Sequence, residues 1–400
     1  MRIVMKFGGT SVATEASREA ICSHVKRELA DNNQPILVVS AMGRKPAPYA
    51  TDSLLALLEG LDIDSHERDL LMSVGELISA LVMAAQLRSC GIKAQALSAF
   101  EAGLLACGPD GNAEIIQIDS SYISQLLDQG IVPVITGFQA FDEERKIITL
   151  GRGGSDTSAC AIGLALHVDR VDIYSDVEGV MSADPRVVDQ ASILEHITAQ
   201  ELFQMANRGS KIVHAPAAQL ALSSGIAMRV RNTFSNSLGT LVEDMSKFKQ
   251  ASAVTAISCR KGLARVRLRI PYGAGLPQEH IAVQARAFRM LADAHISIDM
   301  ATPFTDRLVF VVDSADAYKA ADELRELSQD TNILDGLAAV TLVGSGMQGV
   351  VGIMAKIAES LARAGVDMLQ ISDSETSVTV LVREDFSDVA VRALHEAFAL

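Results

Sequence analysis

Short runs of apolar, mostly β-branched residues recur at 2–7, 35–39, 131–135, 146–150, 171–174 and 227–230. Each predicts a strand, because such side chains suit a pleated surface and unbroken apolar runs suit strands buried on both faces. Between them, 14–29, 69–87 and 158–166 carry apolar residues at helical spacing. Strand–helix alternation at this spacing predicts an α/β domain on a mostly parallel sheet sandwiched by helices.

Residues 235–252 are largely polar, with Asn, Ser, Gly and Lys, and predict a boundary. Beyond it the pattern repeats. Residues 285–313 align without gaps on 355–383, at an offset of 70. Ala285 meets Ala355, Leu291 meets Leu361, Ala294 meets Ala364, and the apolar run 308–312 meets 378–382. Each copy predicts helix, strand, turn, strand, and each follows an apolar strand, 264–270 or 339–343. Two copies of one small βαββ unit is the economical reading. The expected organisation is a catalytic domain at 1–245 and two small modules at 253–335 and 336–400, with C-terminal residues packing back on the first module.

A length of 400 residues fits two or three domains. Hydrophobic residues, at 49%, suffice for their cores, and no unbroken apolar run of membrane-spanning length is evident. The first residues meet charge and then glycine too soon for a secretory signal. Cys22, Cys90, Cys107, Cys160 and Cys259 are scattered, with no CxxC pair. The expectation is a cytoplasmic protein without zinc or disulfide framework. Net charge is −14 with no Lys/Arg cluster, which argues against nucleic acid as a partner. Single cations inside glycine loops therefore gain interest as anion ligands.

Several segments could handle phosphate. Lys6-Phe7-Gly8-Gly9-Thr10-Ser11 follows a strand and precedes a helical pattern, so paired glycines and free helix-start N–H groups could approach an anion. An ordinary strand–turn–helix with a solvated lysine reads equally well from the glycines alone. It is not a Walker A loop, since the lysine precedes the glycines. Gly151-Arg152-Gly153-Gly154-Ser155-Asp156-Thr157 is a second such turn; Arg152 offers a fork for a carboxylate, while Asp156 could be only a cap. The polar loop 174–186 reads either as a surface excursion or as part of the site. Lys211 stands at an expected helix start, a poor place for a cation unless an anion is near. Gly344-Ser345-Gly346-Met347-Gln348-Gly349 matches the dinucleotide fingerprint GxGxxG, with Asp367 downstream, but about fifty residues remain after it, too few for such a fold.

In order and spacing, the segments 6–11, 151–157, 176–186 and 209–214 resemble the signature segments of aspartate kinases. Val39-Ser40-Ala41-Met42-Gly43, Val74-Gly75-Glu76 and Arg229-Val230-Arg231-Asn232-Thr233-Phe234 are similar too. The resemblance spans essentially the whole chain. It implies an amino-acid kinase fold followed by two ACT (βαββαβ, ferredoxin-like) domains. It implies ATP-dependent phosphorylation of the side-chain carboxylate of L-aspartate to 4-phospho-L-aspartate. That is the first step toward lysine, diaminopimelate, threonine and methionine.

By this resemblance Lys6 meets the transferring phosphoryl group and Asp156 orients it. Gly8, Gly9 and Ser11 contribute to the phosphate cradle. Arg152 and Gly153 hold a carboxylate of aspartate, Glu76 its ammonium, and Ser40, Thr51 and Phe138 line the substrate side. Ser175, Asp176, Asp184, Arg186 and Lys211 hold nucleotide. Mg2+ comes with ATP, with no protein metal ligand expected, and His214 is read as structural. Ser297 and Asp299 resemble an effector-contacting segment, for lysine, diaminopimelate or threonine, although an exposed strand-end carboxylate explains Asp299 as well. Residues 43–54 and 394–398 look like the short aspartokinases inhibited by diaminopimelate. Paired ACT modules imply at least a homodimer. The family pattern is broken at Ala215-Pro216-Ala217 and in the apolar loop 103–108. Two alternatives stand beside this reading: a related kinase of another carboxylate, and a catalytically silent sensor.

Overall fold

In chain order the first strands are β1 (Arg2–Phe7), β2 (Gln34–Val39), β3 (Ala94–Leu97), β4 (Leu104–Cys107), β5 (Glu114–Ile118) and β6 (Val132–Thr136). They are followed by β7 (Gln139–Phe141), β8 (Ile147–Thr149), β9 (Arg170–Ser175), β10 (His196–Thr198), β11 (Met228–Asn232) and β12 (Thr240–Glu243). Eight of them form one sheet in the order β10-β12-β11-β9-β1-β2-β6-β3, parallel except where β12 runs against β11. β1 sits centrally, and Ile3, Val4, Met5 and Phe7 are fully buried because helices cover both faces. Helix Glu15–Ala30 begins at a capping box in which Thr14 and Ser17 satisfy each other's backbone N–H groups.

The computed structural model describes residues 1–210, 212–243, 252–270, 277–347 and 349–400. Contacts group the chain into two units. One holds Met1–Val180, Ile193–Ala206 and Lys211–Lys249; the other holds Met181–Ser192, Asn207–Ser210 and Gln250–Leu400. Two short stretches of the first 245 residues thus belong with the C-terminal unit, and the expected boundary at 235–252 lies partly outside the described residues.

One strand expected in the parallel sheet lies elsewhere. β8 pairs antiparallel with β7 in a separate four-stranded sheet, ordered β5-β4-β7-β8. The polar turn 142–146 closes a hairpin, with Asp142 N–H donating to Lys146 O and Lys146 N–H to Asp142 Oδ1, and a short hairpin forces antiparallel pairing. The apolar loop 103–108 is strand β4, which packs into the same sheet.

Helix Ser65–Ser89 is long and apolar enough to cross a membrane by composition, and half of its most apolar window is buried. Its inner face holds Asp69, Met72, Glu76, Ala80, Met83 and Leu87 against the sheet, a spacing of three and four residues. Two carboxylates on that apolar stripe mark it as part of a site.

The C-terminal unit is built on one six-stranded antiparallel sheet. Its strands are β13 (Ala256–Arg269), β14 (Asp299–Pro303), β15 (Arg307–Asp313), β16 (Thr331–Val343), β17 (Gln370–Asp373) and β18 (Ser377–Arg383), in the order β14-β15-β13-β16-β18-β17. The repeat is visible residue for residue, since β15 and β18 differ by 70 in number, as do His295 and Gly365, both left-handed after a helix. β13 and β16 are long because each serves two modules. Residues 263–268 of β13 pair with 331–337, while 256–260 pair with 339–343. The leading residues of this unit, rather than its trailing ones, thereby complete the second module's half-sheet. The final helix, Ser387–Phe398, packs in the core of that half, with Ile257, Val340, Ile357 and Val380.

Candidate active site

Lys6 and Phe7 lie in register with Val38 and Val39 of β2 and with Ile173 and Tyr174 of β9, so the following loops leave the sheet side by side. This carboxyl end of parallel strands is where open α/β sheets place ligands. A cavity of about 260 Å3 opens there. It is lined by Lys6, Gly9, Ser40, Ala41, Gly43, Arg44, Thr51, Glu76, Phe138, Gly153, Gly154, Ser155 and Asp156. The loops are tied by backbone bonds: Ser40 N–H donates to Phe7 O, Gly43 N–H to Gly9 O, and Gly137 N–H to Val39 O. A Cβ on Gly9 would come within 2.8 Å of the Ala41 and Gly43 carbonyl oxygens, so only glycine allows this approach.

At the floor, Lys6 Nζ and Asp156 Oδ1 form an ion pair at 2.6 Å, with side chains only 12% and 10% exposed. Partial burial strengthens such a pair and fixes the ammonium in place. Asp156 sits in the first turn of helix Gly154–Ala165, where the dipole favours an acid. Its other oxygen accepts from His214 N–H at 3.3 Å. The His214 ring lies against Gly153, whose φ is +74° and whose absent Cβ would overlap that ring. Burial, opposed by the pull of Asp156 and aided by repulsion from Arg152 and Lys6, holds the imidazole below its usual pKa. The ring packs on Gly153 and makes no hydrogen bond to the Lys6–Asp156 pair among the described residues.

Glu76 is 2% exposed. Its Oε1 accepts from Ala41 N–H at 3.0 Å, whereas Oε2 is buried with no hydrogen-bond partner among the described residues. Burial raises its carboxyl pKa from 4.5 to about 8. A cationic group placed in the cavity would satisfy that oxygen and draw the proton off. Phe138 adopts a left-handed φ of +70°, uncommon for a bulky residue. It is held by its N–H on Ser158 Oγ and by its carbonyl accepting from Leu150 N–H. Such over-determined strain is typical of sites that position a ligand.

Of the residues singled out from sequence, Lys6, Gly9, Ser40, Thr51, Glu76, Phe138, Gly153 and Asp156 line this one cavity. Others sit differently. Arg152 is exposed between two left-handed glycines that turn it outward, and it makes no hydrogen bond among the described residues. Gly8 gives its N–H to Tyr174 O. Ser11 is buried, its hydroxyl is spent on Thr233 Oγ1 at 2.6 Å and its N–H donates to Gly8 O, so it shapes the turn rather than offering a donor to a ligand. Ser175 accepts from Thr233 N–H and Oγ1 through its carbonyl, and Asp176 stands exposed 3.9 Å from Arg44. Asp184 and Arg186 belong to the C-terminal unit and form an exposed bidentate pair. Lys211 lies outside the described residues. Ser297 is exposed, and Asp299 is engaged by Arg208 and by Met300 N–H.

Sequence reasoning missed Asp69, which is 1% exposed and accepts from both Gly111 N–H and Thr149 N–H. It ties the apolar helix to the strand that feeds the Gly151 turn. Its signal was available, an acid seven residues before Glu76 on one apolar face.

A profile of the amino acid kinase family matches residues 1–232, and a profile of the ACT domain matches residues 332–396. Aspartokinase 1 of Bacillus subtilis is 39% identical over 405 positions, covering 100% of this chain and 99% of its own. The chain belongs to the aspartokinases. Another member of that family, from Geobacillus stearothermophilus, is 34% identical over 100% of this chain and 97% of its own. In structure, E. coli aspartokinase III in complex with aspartate and ADP superposes with a TM-score of 0.84, at 24% identity and full coverage of both chains, a likeness of fold. The Synechocystis aspartate kinase gives 0.55 at 30% identity, covering 100% of this chain and 69% of its own. The aspartokinase family thus combines an α/β catalytic domain with C-terminal ACT modules, as seen here.

Proposed function

We propose that the chain transfers the γ-phosphoryl group of ATP to the side-chain carboxylate of L-aspartate, giving 4-phospho-L-aspartate. The observation that carries this reading is the pairing, in one cavity, of the Lys6–Asp156 ion pair with the buried Glu76 whose second oxygen is unpartnered. Aspartate's ammonium is the natural partner of that oxygen, which orients its far carboxylate toward Lys6. The nucleophile needs no general base, because a free Asp carboxylate has a pKa of about 3.9. Transfer between two anions is then a matter of position and positive charge, supplied by Lys6 and by the Gly9 N–H at the helix start. Arg152, on a mobile-length side chain at the rim, is suited to close on the α-carboxylate.

Magnesium accompanies ATP and neutralises its phosphates. Its ligands in this reading are largely phosphate oxygens and water, as is usual for magnesium at nucleotide sites. Ser175 and Asp176 take the nucleotide side, with Asp184, Arg186 and Lys211 carried over from family resemblance.

The test is hydroxylamine trapping with ATP, magnesium and aspartate, glutamate or N-acetylglutamate, beside a Lys6→Ala control. Hydroxamate with aspartate alone, lost in the control, supports the proposal; a signal with another acid overturns the substrate. The regulatory half is read as an amino-acid sensor of the diaminopimelate- or lysine-responsive kind, in a cytoplasmic homodimer. Thermal shifts with lysine, threonine, methionine and diaminopimelate, and a mass by light scattering, test those parts.

A further inference from the structure

The main sheet has a second polar feature, away from the catalytic loops. On the face covered by helix Glu15–Ala30, β9 and β11 lie side by side, with Arg229 in register with Asp172 and Arg231 with Tyr174. Arg170 opens β9, and Arg229 is the second residue of β11, so this region lies toward the strand starts, whereas the loops of the active site leave the strand ends. A cavity of about 450 Å3 opens here, with Arg27, Arg170, Arg229 and Arg231 in its walls.

The charges of that cavity do not close on themselves. Arg170 is spent on Glu28 Oε1 and Asp172 Oδ1, at 2.9 and 2.8 Å. Arg231 donates to Ser237 O and Tyr174 Oη, and stands 3.9 Å from Asp172 Oδ2. Among the described residues Arg27 has uncharged hydrogen-bond partners, Asn236 Oδ1 at 2.6 Å and the His24 ring. Arg229 is half-buried and makes no hydrogen bond and no close ion pair among the described residues. Four guanidinium groups thus face three carboxylates, Glu28, Asp172 and the exposed Asp31. In a chain of net charge −14 this is a local surplus of cation, and it is partly shielded from water. Burial depresses the basicity of Arg229; Asp172 opposes this, while Arg170 and Arg231 add to it, so one carboxylate is shared among three guanidinium groups.

We propose that this arginine-lined cavity is an anion site for a phosphate group, distinct from the catalytic pocket. A carboxylate presents two oxygens in one plane, enough for one fork. A tetrahedral phosphate presents more, and suits forks arriving from separate elements, here helix Glu15–Ala30 and β11. The shared chemistry is the phosphate dianion, whether free or as the ester of a small metabolite.

Calorimetric titration of the full chain with inorganic phosphate, at constant ionic strength and with ADP, magnesium and aspartate saturating, tests this. One saturable site per chain is expected. Arg229→Gln should weaken it at least about tenfold, the scale of one lost charge-assisted hydrogen bond, while the rate of hydroxamate formation without phosphate stays unchanged. Arg27→Gln, on the exposed helix surface, gives the same readout if the first variant folds poorly. Glycerol 3-phosphate binding more tightly than phosphate assigns an ester; equal or weaker binding assigns the free ion. Absence of saturable binding, or affinity equal in wild type and both variants, overturns the proposal, since binding at the catalytic centre would survive these substitutions.

Discussion

The turn after β1 and the turn after β16 share a local grammar: an apolar strand, closely spaced glycines, then a helix. What stands opposite each one differs. Gly9 lacks a Cβ so that the carbonyl groups of Ala41 and Gly43 can close in, and the turn edges a cavity holding Lys6 and Asp156. Gly344 lacks one because the backbone of Ala253 and Val254 presses directly on it. The first glycine shapes a space for a ligand, and the second fills a packing contact between chain segments. A glycine motif thus reports close backbone approach, and only the neighbouring loop decides whether a phosphate or more protein arrives.

The contrast is broken or sharpened by a graded set of substitutions. The largest effect is expected at Lys6. Lys6→Ala should lower kcat/KM by about 10²–10³, since a pre-placed charge at a reacting centre has that scale, with circular dichroism retained but the unfolding midpoint lowered because Asp156 loses its partner. Retained activity would reduce the β1 turn to the same structural role as Gly344. Next come the glycines as a matched pair. Gly9→Ala should cut kcat/KM by about 10–100-fold through misplaced loops. Gly344→Ala should cost ~1–3 kcal/mol in urea unfolding by overpacking, with activity per folded molecule unchanged.

Glu76 sharpens the comparison through pH. Its folded pKa is raised from 4.5 to about 8, so its stabilising share is complete below pH 4.5 and is lost as pH rises toward 8. Relative to Glu76→Gln, the wild type should therefore lose on the order of a few kcal/mol of stability across that window, measured by chemical unfolding at each pH. The same variant should raise KM for aspartate about tenfold and abolish the proton released on aspartate binding near neutrality, seen by calorimetry in buffers of different ionisation enthalpy. The smallest effect on stability belongs to Arg186→Ala. The side chain is 86% exposed in its pair with Asp184, so the unfolding midpoint should not move measurably. A raised KM for ATP would then report the nucleotide role free of any folding defect.

Much of this was legible one residue at a time. Unbroken apolar strands gave the parallel sheet, because strands buried on both faces carry no polar alternation, and the 70-residue offset gave two modules because each copy had to bury the same face. The pocket residues were legible where a motif placed charge beside glycine, as at Lys6 and Asp156. Asp69 showed only as an acid on an apolar helix face; its role did not, because its partners, Gly111 N–H and Thr149 N–H, are distant in sequence. Nor was the outward turn of Arg152, set by left-handed backbone at Gly151 and Gly153.

The sequence by itself determined the elements, the repeat, and the residue types that phosphate and an amino acid require, since these follow from local periodicity and charge. Only the tertiary structure decided that β8 leaves the main sheet for a hairpin sheet, and that β13 and β16 are shared between the two modules. Only it buried Glu76 at the wall of the catalytic cavity, and left Arg229 facing a second cavity without a hydrogen bond among the described residues. Pairing partners, burial and unbalanced charge belong to groups far apart along the chain, and their energies exist only once the fold has brought them together.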